Sequence, residues 1–321
     1  MTTKIKYEAY SRILLLMMGI VSGIVIGEVL LRTFLPSGLL ETSRELKQFR
    51  MNDQDLTRIF TLDPEFGFRP ILGNSEYNKY GTKVNHYNLE KKPGIARLLF
   101  IGDSVTSRGM ILDELRKIYG EDKFEYWNAG VESFNTVQEV NFYTKYNRYI
   151  KPDKVILFFH NNDFETTPVA FLNKENKLVV YSADRPLSFP NRWLFKNSYL
   201  YRLFYRRSLA QETMVDMWAI AQETKRSLKD LKDVLGKEGI QLSIVVLPII
   251  DVYERWNDRE KESRRRIISI LKELNIEYID LFEVIDSFQE AIIEDSIHDP
   301  WHPNKEVASY FARYLYEHNV F

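Results

Sequence analysis

The sequence predicts an α/β fold: a three-layer α/β/α sandwich around a central parallel sheet of about five strands, preceded by one N-terminal transmembrane helix. Two observations predict it. Five short apolar runs alternate with helical stretches from residue 95 onward, and a separate apolar run stands near the N-terminus. Strands joined by helices pair in parallel, and burial on both faces makes each strand a continuous apolar run rather than an alternating one.

The N-terminal run, residues 13–31, is apolar apart from Ser22 and Glu28. As a helix it spans about 28 Å, close to the hydrocarbon thickness of a bilayer. Glu28 costs about 2.5–3.5 kcal/mol at mid-bilayer, but it sits one turn from Arg32 and near the interface, where that cost falls. A cleaved signal peptide and a buried core helix are the competing readings. No small-residue cleavage site follows, so a signal anchor over 13–35 is predicted, after a tail at 1–12. Lys4, Lys6 and Arg12 before the span nearly balance Arg32, Arg44 and Lys47 after it, so charge alone barely orients it.

Residues 36–94 are polar, turn-rich and dotted with aromatics, and read as a stalk plus an embellishment on the sandwich that follows at 95–321. The strands are expected at Leu98–Ile101, Phe124–Trp127, Val155–Phe159, Leu242–Leu247 and Glu277–Leu281. The first is followed by a helix with Ile111, Leu115 and Ile118 on one face and Gly120 as its stop. Further helices are expected at 214–236 and 256–273. Asn304 caps the last one, which buries Val307, Phe311 and Leu315. Between the third and fourth strands lies an insertion, about 164–212. Within it, residues 188–207 carry five basic and no acidic residues among many aromatics. Three readings stay open for that segment: a membrane interface, a pocket wall, or packing.

Composition bounds the chemistry. A chain of 321 residues with 45% hydrophobic content can bury a full core, and a net charge of -1 leaves no electrostatic footprint for nucleic acid. With no cysteine, disulfides, thiolate nucleophiles and zinc–thiolate sites are excluded.

Two strings carry the chemistry. LLFIGDSV places Ser104 at the carboxyl end of the first strand, where open α/β sheets bind ligands. DPWHPN places Asp299 three residues before His302, just ahead of the last helix. A serine becomes a nucleophile only with a base, and the base needs an orienting carboxylate. Serine after a strand is ordinarily a turn or N-cap residue; the downstream Asp-x-x-His pair tips the reading toward catalysis. Asp103, adjacent to the serine, reads as a loop-structuring group.

His302 has a competitor in His298, which follows Asp295 at the same spacing. The two histidines could also share a helical face as metal ligands. Pro300 and Pro303 argue against a continuous helix there. His302 is therefore taken as the base and His298 as an exposed loop residue. His86 and His318 have no constellation around them.

These strings resemble the GDSL/SGNH hydrolase family of esterases, lipases and carbohydrate deacetylases. Asn128-Ala129-Gly130 lies where the family places a glycine whose N–H helps bind an oxyanion. Asn161-Asn162-Asp163 lies where the family has Gly-x-Asn-Asp, its first asparagine lending a side-chain amide. The four blocks cover about residues 97–317 in the family's order. The resemblance implies Ser104 as nucleophile, His302 as base and Asp299 as its orienter. Its oxyanion donors are the Ser104 N–H, the Gly130 N–H and the Asn162 amide, with no metal and no cofactor. Read from the residues alone, Asn162 is equally a strand-end turn residue and Gly130 a residue needed for positive φ.

The chain departs from the pattern at His160, in place of the third block's glycine, and at Val105, after the serine. Ser133 stands where a second glycine often follows the Asn-x-Gly turn. His160 is either a core histidine or a group that modulates the site. The implied activity is hydrolysis of an acyl ester on a glycan or lipid, with the catalytic domain held outside the cytoplasm by a membrane anchor. An O-acyltransferase of envelope glycans and an inactive binding or scaffold protein are the alternatives.

Overall fold

The computed structural model describes residues 2–34, 46–48, 56–165, 167–172, 176, 178–183, 192–201, 203–204, 217–285, 288, 292–293, 296 and 298–321. Its centre is a five-stranded sheet: β1 (Ala96–Gly102), β2 (Phe124–Asn128), β3 (Lys154–Phe159), β4 (Gln241–Val246) and β5 (Tyr278–Asp280). Every pairing is parallel and the spatial order is β2-β1-β3-β4-β5. The order reverses between β1 and β3. That switch point opens a crevice at the strands' carboxyl ends.

The period-two geometry of a strand explains the continuous apolar runs. Leu98 and Phe100 of β1 join Ile156, Phe158 and Val245 in one core, whereas Leu99 and Ile101 join Val155, Leu157 and Ile244 in another. The first core is closed by helices α3 (Met110–Tyr119) and α7 (Lys305–Glu317). The second is closed by α4 (Thr136–Lys145), α5 (Met217–Glu238) and α6 (Asp258–Glu273). Each fully buried Leu, Ile or Phe contributes roughly 1.5–3 kcal/mol, so both faces must be covered.

One helix expectation is corrected. The stretch after β1 is two helices, α2 (Ser104–Arg108) and α3, separated by Gly109 at φ 74. The break restarts the helical phase at Met110. Within α3 the buried face is Ile111, Leu112 and Leu115, whereas Ile118, in the last turn, is 39% exposed. Gly120 stops α3 as expected, its N–H donating to Arg116 O. Asn304 caps α7 through Oδ1 to the Val307 N–H at 2.9 Å, and Val307, Phe311 and Leu315 are buried.

Ahead of the sheet, Phe60–Asp63 and Gly67–Pro70 form an antiparallel hairpin. Its Phe60, Phe66 and Phe68 pack with Tyr77 against Phe134 and Phe142 in a third core. Arg97 fastens the neighbouring loop to the sheet. Fully buried, it bonds Glu125 at 2.6 Å, the carbonyls of Asn88, Leu89 and Ile150, and the Trp127 ring face. In the insertion, Val169–Leu172 pairs with Leu178–Ala183, and Leu46–Gln48 adds to the latter strand's free edge.

Helix α1 (Thr2–Phe34) includes a 23-residue stretch, Arg12–Phe34, of mean hydropathy 2.5 and none of it buried. It is long and apolar enough to cross a membrane, a property that an anchor shares with a signal sequence.

Candidate active site

Strand β1 delivers its carboxyl end through a turn that only glycine allows. Gly102 has φ +153, and a Cβ there would lie 2.2 Å from Thr106 Oγ1 and 3.0 Å from Phe158 O. Asp103 follows as the N-cap of α2, its Oδ1 accepting the Val105 N–H at 2.9 Å. This is the loop-structuring role its position suggested. Capping makes Ser104 the first residue of α2, with its hydroxyl at the mouth of the crevice.

The partner comes from the other end of the chain. His302 Nε2 lies 2.8 Å from Ser104 Oγ, and Nδ1 lies 2.7 and 2.9 Å from the two oxygens of Asp299. The loop that carries them is held at both ends. Pro300 O accepts the Ile250 N–H at 2.8 Å just beyond β4, and the Asn304 cap starts α7. The prolines thus produce the non-helical loop that their chemistry predicts. His298 is exposed on the preceding turn. Among the described residues no group of three His, Cys, Asp or Glu side chains is arranged to hold a metal ion.

Asp299 is half exposed, as is Arg108, whose Nη1 lies 3.3 Å from Asp299 Oδ2. Partial burial opposes ionisation of Asp299. The imidazole of His302 and the Arg108 guanidinium outweigh it and hold the carboxyl below its ordinary range. Arg108 escaped notice in the sequence, although its i+4 spacing from Ser104 on a helix was the available signal.

The second block forms a tight turn packed against α2. The Gly130 N–H donates to Asn128 Oδ1 at 2.9 Å, within its own turn. Gly130 does not serve a positive φ. A Cβ there would lie 2.3 Å from Ser107 N and 2.6 Å from Thr106 C, so glycine is needed for α2 to approach. Asn128 completes the lock by donating Nδ2 to Thr106 O at 2.7 Å. Ser133 adopts φ 59, the left-handed conformation that the replaced glycine would favour.

The third block follows β3 as a 3-10 turn, Asn161–Phe164. The backbone of Asn162 lies in that turn; its side chain falls outside the described part of the structure. His160 is 2% exposed, and its N–H donates to Asp163 Oδ2 at 2.6 Å.

Beneath these turns is a cluster that sequence reasoning missed. Glu139 of α4 and Asp163 are 3% and 1% exposed, and Asp103 is as deeply buried. Both oxygens of Glu139 and Oδ1 of Asp163 find no donor among the surrounding protein groups. Burial pushes the Glu139 carboxyl well up, and the charges of Asp163 and Asp103 push it further. Asp163 is raised for the same reasons, burial foremost.

The architecture is that of an α/β/α sandwich around a five-stranded parallel sheet, with a serine after β1 and an Asp-x-x-His loop before the last helix. The sequence matches no protein-family model and no curated protein. Among solved structures the chain is similar to a lipase/acylhydrolase from Enterococcus faecalis. Identity is 15% and the TM-score 0.43, covering 70% of this chain and 97% of that one. It is similar also to the acetyl xylan esterase AlAXEase, at 14% identity and TM-score 0.44, covering 69% and 98%. A third similar structure is Axe2, an acetylxylan esterase from Geobacillus stearothermophilus, at 16% and 0.42, covering 71% and 96%. At these scores the likeness adds nothing to the sheet order and the turn geometry.

Proposed function

We propose that the chain is a membrane-anchored serine esterase of the SGNH/GDSL hydrolase type, acting on acyl esters of a surface glycan or lipid. The observation that carries the reading is the continuous chain Ser104 Oγ–His302 Nε2 and His302 Nδ1–Asp299, at 2.8 and 2.7 Å, at the switch point of the sheet. Ser104 Oγ attacks the ester carbonyl while His302 Nε2 takes its proton. Asp299 holds the Nδ1–H tautomer and stabilises the imidazolium that forms. His302 then protonates the departing alcohol, leaving Ser104 acylated. Water enters, His302 removes its proton, and the acid is released with Ser104 restored. The side chains involved need neither metal nor cofactor for these steps.

The oxyanion that forms on attack requires donors, each worth about 10²–10³ in kcat. The reading assigns the Ser104 N–H, at the open first turn of α2, and the Asn162 amide. Helix α1 serves as a retained anchor with its N-terminus in the cytoplasm, which leaves the sandwich outside.

A fluorophosphonate probe tests the proposal, because it phosphonylates a serine only where a base can take the hydroxyl proton. The wild-type protein is expected to be labelled and to turn over acyl esters; Ser104→Ala is expected to do neither, with its melting temperature nearly unchanged. An unlabelled wild type with no turnover on an acyl-ester panel would leave a binding protein. Turnover that appears only with a sugar acceptor would make it an acyltransferase.

A further inference from the structure

The insertion and the anchor are fastened to each other. The Glu28 carboxylate of α1 accepts hydrogen bonds from Ser198 Oγ at 2.8 Å, the Tyr199 N–H at 2.8 Å and the Leu200 N–H at 3.0 Å. It also accepts from Arg32 Nε at 2.8 Å, one turn on. Arg32 in turn donates to Asn197 O, and its guanidinium lies 5.4 Å from the Tyr199 ring centroid. Leu200 Cδ1 lies 3.8 Å from where a Cβ on Gly27 would stand, so the Leu200 side chain packs against α1 at Gly27. An acidic residue in an apolar span, costly when alone, is here satisfied by a turn of the insertion.

The depth of that attachment follows from helix geometry. Glu28 precedes the end of α1 at Phe34 by six residues, about 9 Å along the axis. The apolar residues 13–31 fill about 28 Å of a hydrocarbon core about 30 Å thick, so Glu28 lies about 5 Å from its end. The turn at 197–200 therefore sits where acyl chains give way to headgroups. On either side of it the chain exposes large apolar side chains: Trp193 at 70%, Phe204 at 65% and Leu203 at 39%. Their exposure removes packing as an account of these three residues.

We propose that residues 192–201, with 203 and 204, form a shelf embedded in the interfacial layer of the bilayer that α1 spans; the proposal rests on the anchor reading above. Tryptophan is enriched at that level because its ring is apolar and its N–H seeks water. The surrounding sequence, with five basic and no acidic residues over 188–207, suits a surface of anionic headgroups. The shelf gives the catalytic domain a second contact with the membrane, so the domain is held against the bilayer instead of swinging on a single helix.

The test uses the full chain reconstituted in phosphatidylcholine–phosphatidylglycerol vesicles whose acyl chains carry bromine, a contact quencher of tryptophan. Trp127 and Trp256 are buried in the domain and Trp301 is 49% exposed, so the comparison is made in a background with Trp218 and Trp301 replaced by phenylalanine. Most of the quenchable emission is therefore expected to disappear in Trp193→Phe. Glu28→Leu, which unfastens the turn while keeping the span apolar, is expected to lose the same emission component. Flotation in high salt is the control. If the protein floats but Trp193→Phe is quenched as strongly as wild type, the shelf is wrong and the anchor stands. If the protein does not float, the anchor fails and the shelf with it.

Discussion

Glu139 offers the sharpest test of how the site is built. Its two oxygens and Asp163 Oδ1 are acceptors enclosed without protein donors, and the pair is almost completely buried. Burial and mutual repulsion raise both carboxyls, which predicts that one keeps its proton and donates to the other. Glu139→Gln replaces that hydroxyl donor with an amide of the same shape and should keep the melting temperature. Glu139→Ala leaves Asp163 without a donor, at about 1–3 kcal/mol, and adds a cavity. In a domain of this size each kcal/mol lowers the melting temperature by about 2–4 °C. The sign of the pH dependence follows from the raised carboxyls. Both states are protonated below the ordinary carboxylate range of about 4, and stability is lost as pH rises through the raised folded values. Wild type should therefore lose melting temperature as pH rises from 5 toward 9, and Glu139→Gln should lose less. Thermal melts of the full chain in detergent across that range decide it. Identical slopes for the two proteins would show that no proton is shared there.

Two further outcomes concern the triad. His302→Ala should lower kcat by about 10⁴–10⁶, whereas His298→Ala, altering an exposed turn residue, should leave kcat unchanged; a dead His298 variant beside an active His302 variant would reverse the assignment. Arg108→Gln removes a cation 3.3 Å from Asp299, so the Asp299 carboxyl should titrate higher, which a carbon-13 NMR titration of that carboxyl reads. Because both groups are half exposed, the pair is worth at most about 1 kcal/mol, and the shift should stay below one pH unit. High salt should reproduce it in the wild-type protein.

The sheet and the reactive strings were legible because their causes are local. A strand buried on both faces writes itself as an apolar run, and all five runs became neighbours in the sheet. Pro300 and Pro303 restrict backbone angles wherever they stand, so the loop around His302 could be read without its surroundings. The Gly109 break was invisible because apolar spacing continues across it, and only the αL conformation at that residue resets the phase. The close packing of Gly130 was invisible for a related reason. Its importance lies in the absence of a Cβ facing Thr106 and Ser107, and no pattern within residues 128–130 reports what packs against them.

The remaining contacts join residues that no periodicity relates. Asp103, Glu139 and Asp163 come from three separate crossovers of the sheet. They meet because β1 and β3 are adjacent and α4 covers the face they share. The same adjacency sets the turn after β1 beside the turn after β3, so Ser104 and the Asn162 backbone stand at one crevice while their capping carboxylates, Asp103 and Asp163, converge below it. One protonated carboxyl at that convergence bonds the two turns instead of letting their charges force them apart. On this argument Glu139 is a positioning residue: loosening it should raise KM little and lower kcat, because the nucleophile and the oxyanion donor assigned to Asn162 would lose registry with each other. If Glu139→Ala folds and keeps the wild-type kcat, the two turns hold their registry without it.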